Sequence, residues 1–269
     1  MRIFAISDLH VDYPENLDWI ESAIDQSCQH DLLILAGDVS DDLALLRRIF
    51  LFLTRKFLKV LFVPGNHELW LRDGSEDCSL RKFASVRKLC NETGVIDSLY
   101  VHGHITFVPL FSWYDYSFAE PDRHLQRAWR DFGACRWPPE MQTCADINRY
   151  FLNLNLPLLD STNELVISYS HFLPRIDLMP ARIPPKKRKV YPVLGSNALG
   201  HQVRRLRPDI HVYGHSHVNR AVTLDGIRFI NNAYGYPGED RIARKHLFCI
   251  YDDSYPVATG QTAAGGGSA

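Results

Sequence analysis

The sequence lacks several features, and each absence excludes something. Its six cysteines, Cys28, Cys78, Cys90, Cys135, Cys144 and Cys249, form no CxxC pair. Zinc-finger and thioredoxin-like readings therefore have no support. Scattered in this way, they are expected to be reduced thiols of a cytoplasmic protein. No apolar run reaches the length of a membrane-spanning helix; the greasiest stretch, 49–63, is broken by Arg55, Lys56 and Lys59. The first apolar run meets Asp8, too early for a signal peptide. A charge excess of either sign is also missing. Thirty Lys and Arg against 31 Asp and Glu leave a net charge of −1, unlike a chain that grips nucleic acid by bulk charge.

The 269 residues, 46% of them hydrophobic, are enough for one large α/β domain with a substantial core. The N-terminal half alternates short apolar runs at 3–6, 32–36 and 60–63 with stretches of helical spacing, and this order predicts an α/β sheet with helices on its faces. Further strands are expected at 105–110, 166–170, 210–213 and 247–251. A hairpin is expected around Asp225-Gly226, where both turn positions favour positive φ. Residues 112–160, rich in Trp, Tyr and Pro, have no clear period and are expected to be an insertion over the sheet edge. We expect a single domain over 1–258 and a flexible tail over the Gly-rich residues 259–269.

Five of the predicted strands end alike. They run into Asp8-Leu9-His10, Gly37-Asp38, Gly65-Asn66-His67-Glu68, His171, and Gly214-His215-Ser216-His217. Ligands of open α/β sheets bind just beyond the carboxyl ends of strands, so these side chains are expected to converge. Buried carboxylates brought together would repel one another, and a cation removes that cost. Carboxylate, imidazole and amide oxygen without thiolate suit Mn, Fe or Zn. Groups in this number are too many for one ion and suit two divalent metal ions, with a carboxylate able to bridge them.

The blocks Asp-x-His, Gly-Asp-x-x-Asp, Gly-Asn-His-Glu, a lone His and Gly-His-x-His, in that order from Asp8 to His217, resemble the calcineurin-like metallophosphoesterase superfamily. The resemblance implies an α/β four-layer sandwich of two mixed β-sheets flanked by helices. It implies that Asp8, His10 and His217 hold one metal and Asn66, His171 and His215 the other, with Asp38 bridging. It further implies a hydroxide attacking phosphorus, His67 aiding the leaving oxygen, and Asp41 orienting His67. The implied activity is hydrolysis of phosphate esters, either phosphomonoester or phosphodiester. The expected partner is a phosphorylated substrate such as a small molecule or nucleotide; nucleic acid is not favoured and no membrane is expected. A non-catalytic binding scaffold of the same fold is the alternative; it would show gaps among the ligand residues, and none is missing.

Other features receive plainer readings. His102-Gly103-His104 mimics a ligand pair but has no further ligand block nearby, and is read as structural. Trp113, Tyr114 and Tyr116 are read as packing. Arg175, Arg182 and Lys186 could reach a phosphate or simply face solvent. Residues 185–190, Pro-Lys-Lys-Arg-Lys-Val, have the letters of a nuclear import signal but are equally a solvated basic loop. Substrate choice is assigned to 112–160 and 172–196.

Overall fold

Strands such as Leu32–Leu35 carry no polar alternation, so both of their faces must be covered. The computed structural model, which describes residues 1–24, 28–72, 76–160 and 163–254, shows what covers them. In chain order the strands are β1 (Arg2–Ile6), β2 (Leu32–Leu35), β3 (Lys59–Phe62), β4 (Tyr100–His102), β5 (Ile105–Pro109), β6 (Leu165–Tyr169), β7 (Ile210–Tyr213), β8 (Arg220–Leu224), β9 (Ile227–Asn231) and β10 (Phe248–Asp252). The helices are α1 (Pro14–Ala23), α2 (Leu43–Lys56), α3 (Ser79–Thr93), α4 (Arg123–Ala128), α5 (Asp131–Ala134), α6 (Cys144–Asn155) and α7 (Asn197–Leu206), joined by short 3-10 turns.

The strands form two mixed sheets, ordered β10-β1-β2-β3 and β4-β5-β6-β7-β9-β8. Ile3, Leu32 and Ile34 of the first sheet pack against Phe107, Ile167, Tyr169 and Val212 of the second in one core. The outer face of the first sheet packs on α2 and α3 through Leu33, Phe62, Ile49, Phe50 and Val86. The outer face of the second packs on α6 and α7 through Val166, Tyr213, Leu152, Leu199 and Val203. The result is the expected sandwich: helices, sheet, sheet, helices.

The expected hairpin is present, with Asp225 at φ 52° and Gly226 at φ 81°. Asp42, rather than Asp41, caps α2, accepting from the backbone N–H groups of Ala44 and Leu45 at 2.7 and 3.1 Å. Residues 112–160 form the crossover from β5 to its parallel neighbour β6 and contain α4, α5 and α6. Trp113 and Tyr114 are buried and belong to the inter-sheet core, as packing residues should. All six cysteines are free thiols. Among the described residues, no helix is long and apolar enough to cross a membrane. The tail over 259–269 lies outside the described residues.

Candidate metal centre

The strand ends β1, β2, β3, β6 and β7 deliver Asp8, His10, Asp38, Asn66, His67, His171, His215 and His217 to one place, all of them buried. Turning side chains inward so soon after a strand demands unusual backbone. Asp8, His10, Asp38, His215 and His217 all have φ between 42° and 67°. Non-glycine residues avoid this left-handed region, and such strain collects at functional sites. The neighbouring glycines make room. A Cβ on Gly65 would lie 2.2 Å from Asp38 Oδ1 and 2.7 Å from His171 Nε2, so only glycine lets this backbone pass under the ligand atoms.

Two groupings share the floor. In the first, His217 Nε2 is 3.1 Å from His10 Nε2 and 3.2 Å from Asp8 Oδ1. In the second, His171 Nε2 is 3.2 Å from Asn66 Oδ1, 3.1 Å from His215 Nδ1 and 3.3 Å from Asp38 Oδ2. The Asp8–His10–His217 atoms lie within 4.8 Å of one another, as do those of Asp38–His171–His215 and of His10–Asp38–His67.

The outward-facing ring nitrogens fix which atoms point inward. His171 Nδ1 faces the Ala36 carbonyl at 2.8 Å, His215 Nε2 the Val193 carbonyl at 3.0 Å, and His217 Nδ1 the Glu239 carboxylate at 2.6 Å. Each acceptor takes the outward N–H of its ring, so that a neutral ring would offer the inward nitrogen's lone pair to the floor, the usual arrangement around metal-binding histidines. His10 Nδ1 is buried without a hydrogen-bond partner.

Electrostatics point the same way. Burial alone would raise the Asp8 carboxyl, but His217 and His171 outweigh it and pull it down to about 2. Asp38 also sits well below its ordinary value: burial is outweighed by His171 and His67. Burial opposes charge on His171, yet Asp38 and Asp8 raise it to about 9. The carboxylates thus stay ionised opposite protonated imidazoles, and a cation taking the place of those protons would keep the same balance of charge. The inward-turned nitrogens and the ionised carboxylates together fit divalent cations held by nitrogen and oxygen.

Other residues organise the floor without facing it. Glu68, fully buried, accepts from the backbone N–H groups of Gly65, Asp38, Val39 and Ser40 at 2.6–3.2 Å, tying the loops after β2 and β3 together. Asp131, at the start of α5, accepts from Asn66 Nδ2 at 2.9 Å, Trp70 Nε1 at 2.6 Å and Trp129 Nε1 at 2.8 Å. The first bond turns Asn66 Oδ1 toward His171. Trp70 stacks on His67 with ring centroids 3.6 Å apart. Tyr236 places its hydroxyl 3.3 Å from His67 Nε2 and stacks on His10 at 4.3 Å.

Asp41 is placed differently from the sequence expectation. Its carboxylate bonds the Arg72 guanidinium, which also reaches Asp12 at 3.2 Å and Asp42 at 3.4 Å. His67 instead finds Asp38, which accepts from its backbone N–H at 2.9 Å, along with Trp70 and Tyr236. Arg175 is held by Asp177 and Asp225, each at 2.6 Å, away from the floor. His102 and His104 stay on the β4–β5 hairpin, facing Tyr100 and Tyr251.

The floor opens into a cavity of about 600 Å³. One wall carries Asp12, Tyr13, Asp41, Arg72 and Tyr236; the other carries Trp70, Trp129, Arg130, Val190 and Leu194. Sequence reasoning missed Asp131, Trp70, Trp129, Tyr236 and Glu239. Only the PGE of 237–239 hinted at a tight turn, and nothing local tied Glu239 to a histidine 22 residues earlier.

Comparison with known proteins gives a consistent result. The sequence description of the calcineurin-like phosphoesterases matches residues 1–219. The chain is 30% identical over 262 residues to an [acyl-carrier-protein] phosphodiesterase, PptH, of Mycobacterium tuberculosis, covering 89% of this chain and 79% of that protein. It also superposes on the crystal structure of the phosphopantetheinyl hydrolase PptH of M. tuberculosis, with a TM-score of 0.78 and 26% identity, over 94% of this chain and 97% of that one.

Proposed function

The chain belongs to the calcineurin-like phosphoesterases, and from that premise we propose that it is a two-metal phosphodiesterase that releases a phosphopantetheinyl group from a carrier protein. That it is a metal-dependent phosphoesterase follows from the family. The diester preference, the carrier-protein substrate, the two metals and the residue roles are our reading. One observation carries it: two adjoining carboxylate–histidine groupings form the floor of a cavity roomy enough for a substituent on each side of a phosphate. We read residues 1–258 as one domain serving this site.

In this reading Asp8, His10 and His217 hold one divalent ion and Asn66, His171 and His215 the other, with Asp38 between them. Mn, Fe and Zn suit this donor set. Bound there, the ions would supply Lewis acidity and the counter-charge for the phosphoryl oxygens.

The remaining work falls to the chain's own residues. His67 Nε2 holds the proton destined for the leaving oxygen. Trp70 fixes the ring plane from one side, and the Tyr236 hydroxyl marks the direction in which Nε2 points. Asp131 and Glu239 keep Asn66 and His217 turned to the floor. The wall of Trp129, Val190 and Leu194 excludes water from one arm of the ester.

A diester is favoured over a monoester because the cavity has room on both sides of the floor, between the wall of Tyr13 and Tyr236 and the wall of Trp129 and Leu194.

The test is kcat/KM with Mn for bis-p-nitrophenyl phosphate against p-nitrophenyl phosphate, with Asp38→Asn as the control, followed by release of phosphopantetheine from a holo acyl carrier protein. A higher value for the diester and release from the carrier are expected. A preference for the monoester would overturn the reading.

A further inference from the structure

The chain is almost neutral, yet its positive charge is unevenly placed. Two segments frame the Trp129–Val190 side of the cavity. Residues 120–130 carry Arg123, Arg127 and Arg130 against Glu120 and Asp122; residues 181–190 carry Arg182, Lys186, Lys187, Arg188 and Lys189 and no acid. All eight cations are exposed. Each segment leads directly into the cavity wall. Helix α4 ends at Ala128, and Ala128, Trp129 and Arg130 line the cavity; Val190 lines it immediately after the basic run. The two segments touch, since Lys189 lies 3.6 Å from Asp122.

Little within the chain uses this charge. Asp122 is engaged as the cap of α4, accepting from the Leu125 N–H at 2.7 Å. Arg188 folds back on the carbonyls of Ile183 and Ala181, which holds the run in its 3-10 shape between Pro184 and Pro192. Among the described residues, no carboxylate lies within 4.0 Å of Arg123, Arg127, Lys186 or Lys187. Eight exposed cations on two touching segments at one cavity mouth make a patch of one sign on a nearly neutral chain.

We propose that the basic rim formed by Arg123, Arg127, Lys186 and Lys187 docks an acidic face of a protein substrate, so that the esterified arm runs inward over Trp129 and Val190 to the floor. This rests on the carrier-protein reading above and adds where the carrier sits and what chemistry it must present. Nucleic acid suits the rim less well. Single strands are held by aromatic platforms beside the charges, whereas here Trp129 is tied by its indole N–H to Asp131 and Trp70 is buried against His67. Charges at the rim of an interface act mainly on encounter rate and salt dependence.

The test uses the full chain loaded with Mn, and two double variants, Lys186→Glu/Lys187→Glu and Arg123→Glu/Arg127→Glu. For each protein, kcat/KM is measured on holo acyl carrier protein and on bis-p-nitrophenyl phosphate, at low salt and near 1 M salt, where screening shortens to about 3 Å. The ratio of carrier to small diester should fall about tenfold or more in both variants at low salt, chiefly through KM, and the difference should shrink at high salt. Because each variant is its own control on the small diester, a folding defect cannot imitate this result. A ratio within twofold of wild type in both variants would overturn the docking surface while leaving the carrier reading intact. A wild type that cleaves the small diester but not the carrier would overturn the carrier reading, and the docking surface with it. A single-stranded RNA oligonucleotide bound more tightly than the carrier, and lost on the same charge reversals, would overturn the choice of a protein partner.

Discussion

The floor of the cavity and its Trp129–Val190 wall are built on opposite plans. The floor is made where five strands stop, by short side chains on strained backbone, with Asp8, His10, Asp38, His215 and His217 all left-handed. That wall comes from the β5–β6 crossover and the turns after β6, through Trp129, Arg130, Val190 and Leu194. Packed sheets cannot shift without cost, so the floor suits chemistry that tolerates little movement. A crossover can be rebuilt without disturbing the sheets, so we propose that wall as the place where one ester is told from another.

The largest expected effect separates chemistry from metal holding within the floor itself. His67→Ala should lower turnover on a diester with a poor leaving group by roughly 10²–10⁴-fold, the usual size of a general-acid contribution. Metal content by mass spectrometry should stay at the wild-type value. Unchanged turnover would remove His67 from its role.

Asp131 ties wall to floor, and breaking it tests whether the two are independent. Asp131→Ala removes the acceptor shared by Asn66 and the two tryptophans, releasing the Asn66 side chain. Mn affinity measured by calorimetry should fall roughly 10–100-fold, the range seen for groups that orient metal ligands. Affinity equal to wild type would mean that Asn66 is held by other contacts.

Trp129→Ala should leave Mn binding intact and raise KM several-fold for a carrier-linked ester more than for bis-p-nitrophenyl phosphate. An equal change on both esters would show that the wall does not discriminate.

The smallest effect lies beneath the floor. His211 of β7 is fully buried against the Ser168 and Ser170 hydroxyls of β6 at 2.7 and 3.1 Å, joining the two strands that deliver His171 and His215. Burial pushes its imidazole down to about 3, against roughly 6.5 in an unfolded chain. The unfolded state therefore binds the extra proton first. The contribution is present above about pH 6.5 and is lost as pH falls toward 3. Urea melts of His211→Gln should show a flatter acid limb than wild type, and an identical slope would reject this origin.

The two plans also explain what could be read without a structure. Each residue proposed as a ligand sits within a few residues of an apolar strand, so Asp8, Asn66 and His215 are legible locally. His171 is legible only through the strand before it and Phe172-Leu173-Pro174 after it. The β4 strand escaped because three half-exposed residues carry no periodic signal. Asp131, Glu239 and Tyr236 reach the site by tertiary routes, from a short helix and a turn far along the chain, so no spacing rule could link them to Asn66, His217 or His67. Asp41 shows the converse. Its place after Asp38 suggested a partner in His67, but Arg72, 31 residues on, captures its carboxylate. Next to it, Asp42 takes the helix cap that either acid could have filled.

The account stands or falls on what the floor holds. Purified protein should be stripped with chelator, reloaded with Mn, passed through a desalting column and analysed for metal per chain, alongside Asp38→Asn. The account predicts about two ions per wild-type chain and a clear loss in the variant, because Asp38 stands between both groupings. One ion or none in the wild type, or full loading of Asp38→Asn, would contradict it.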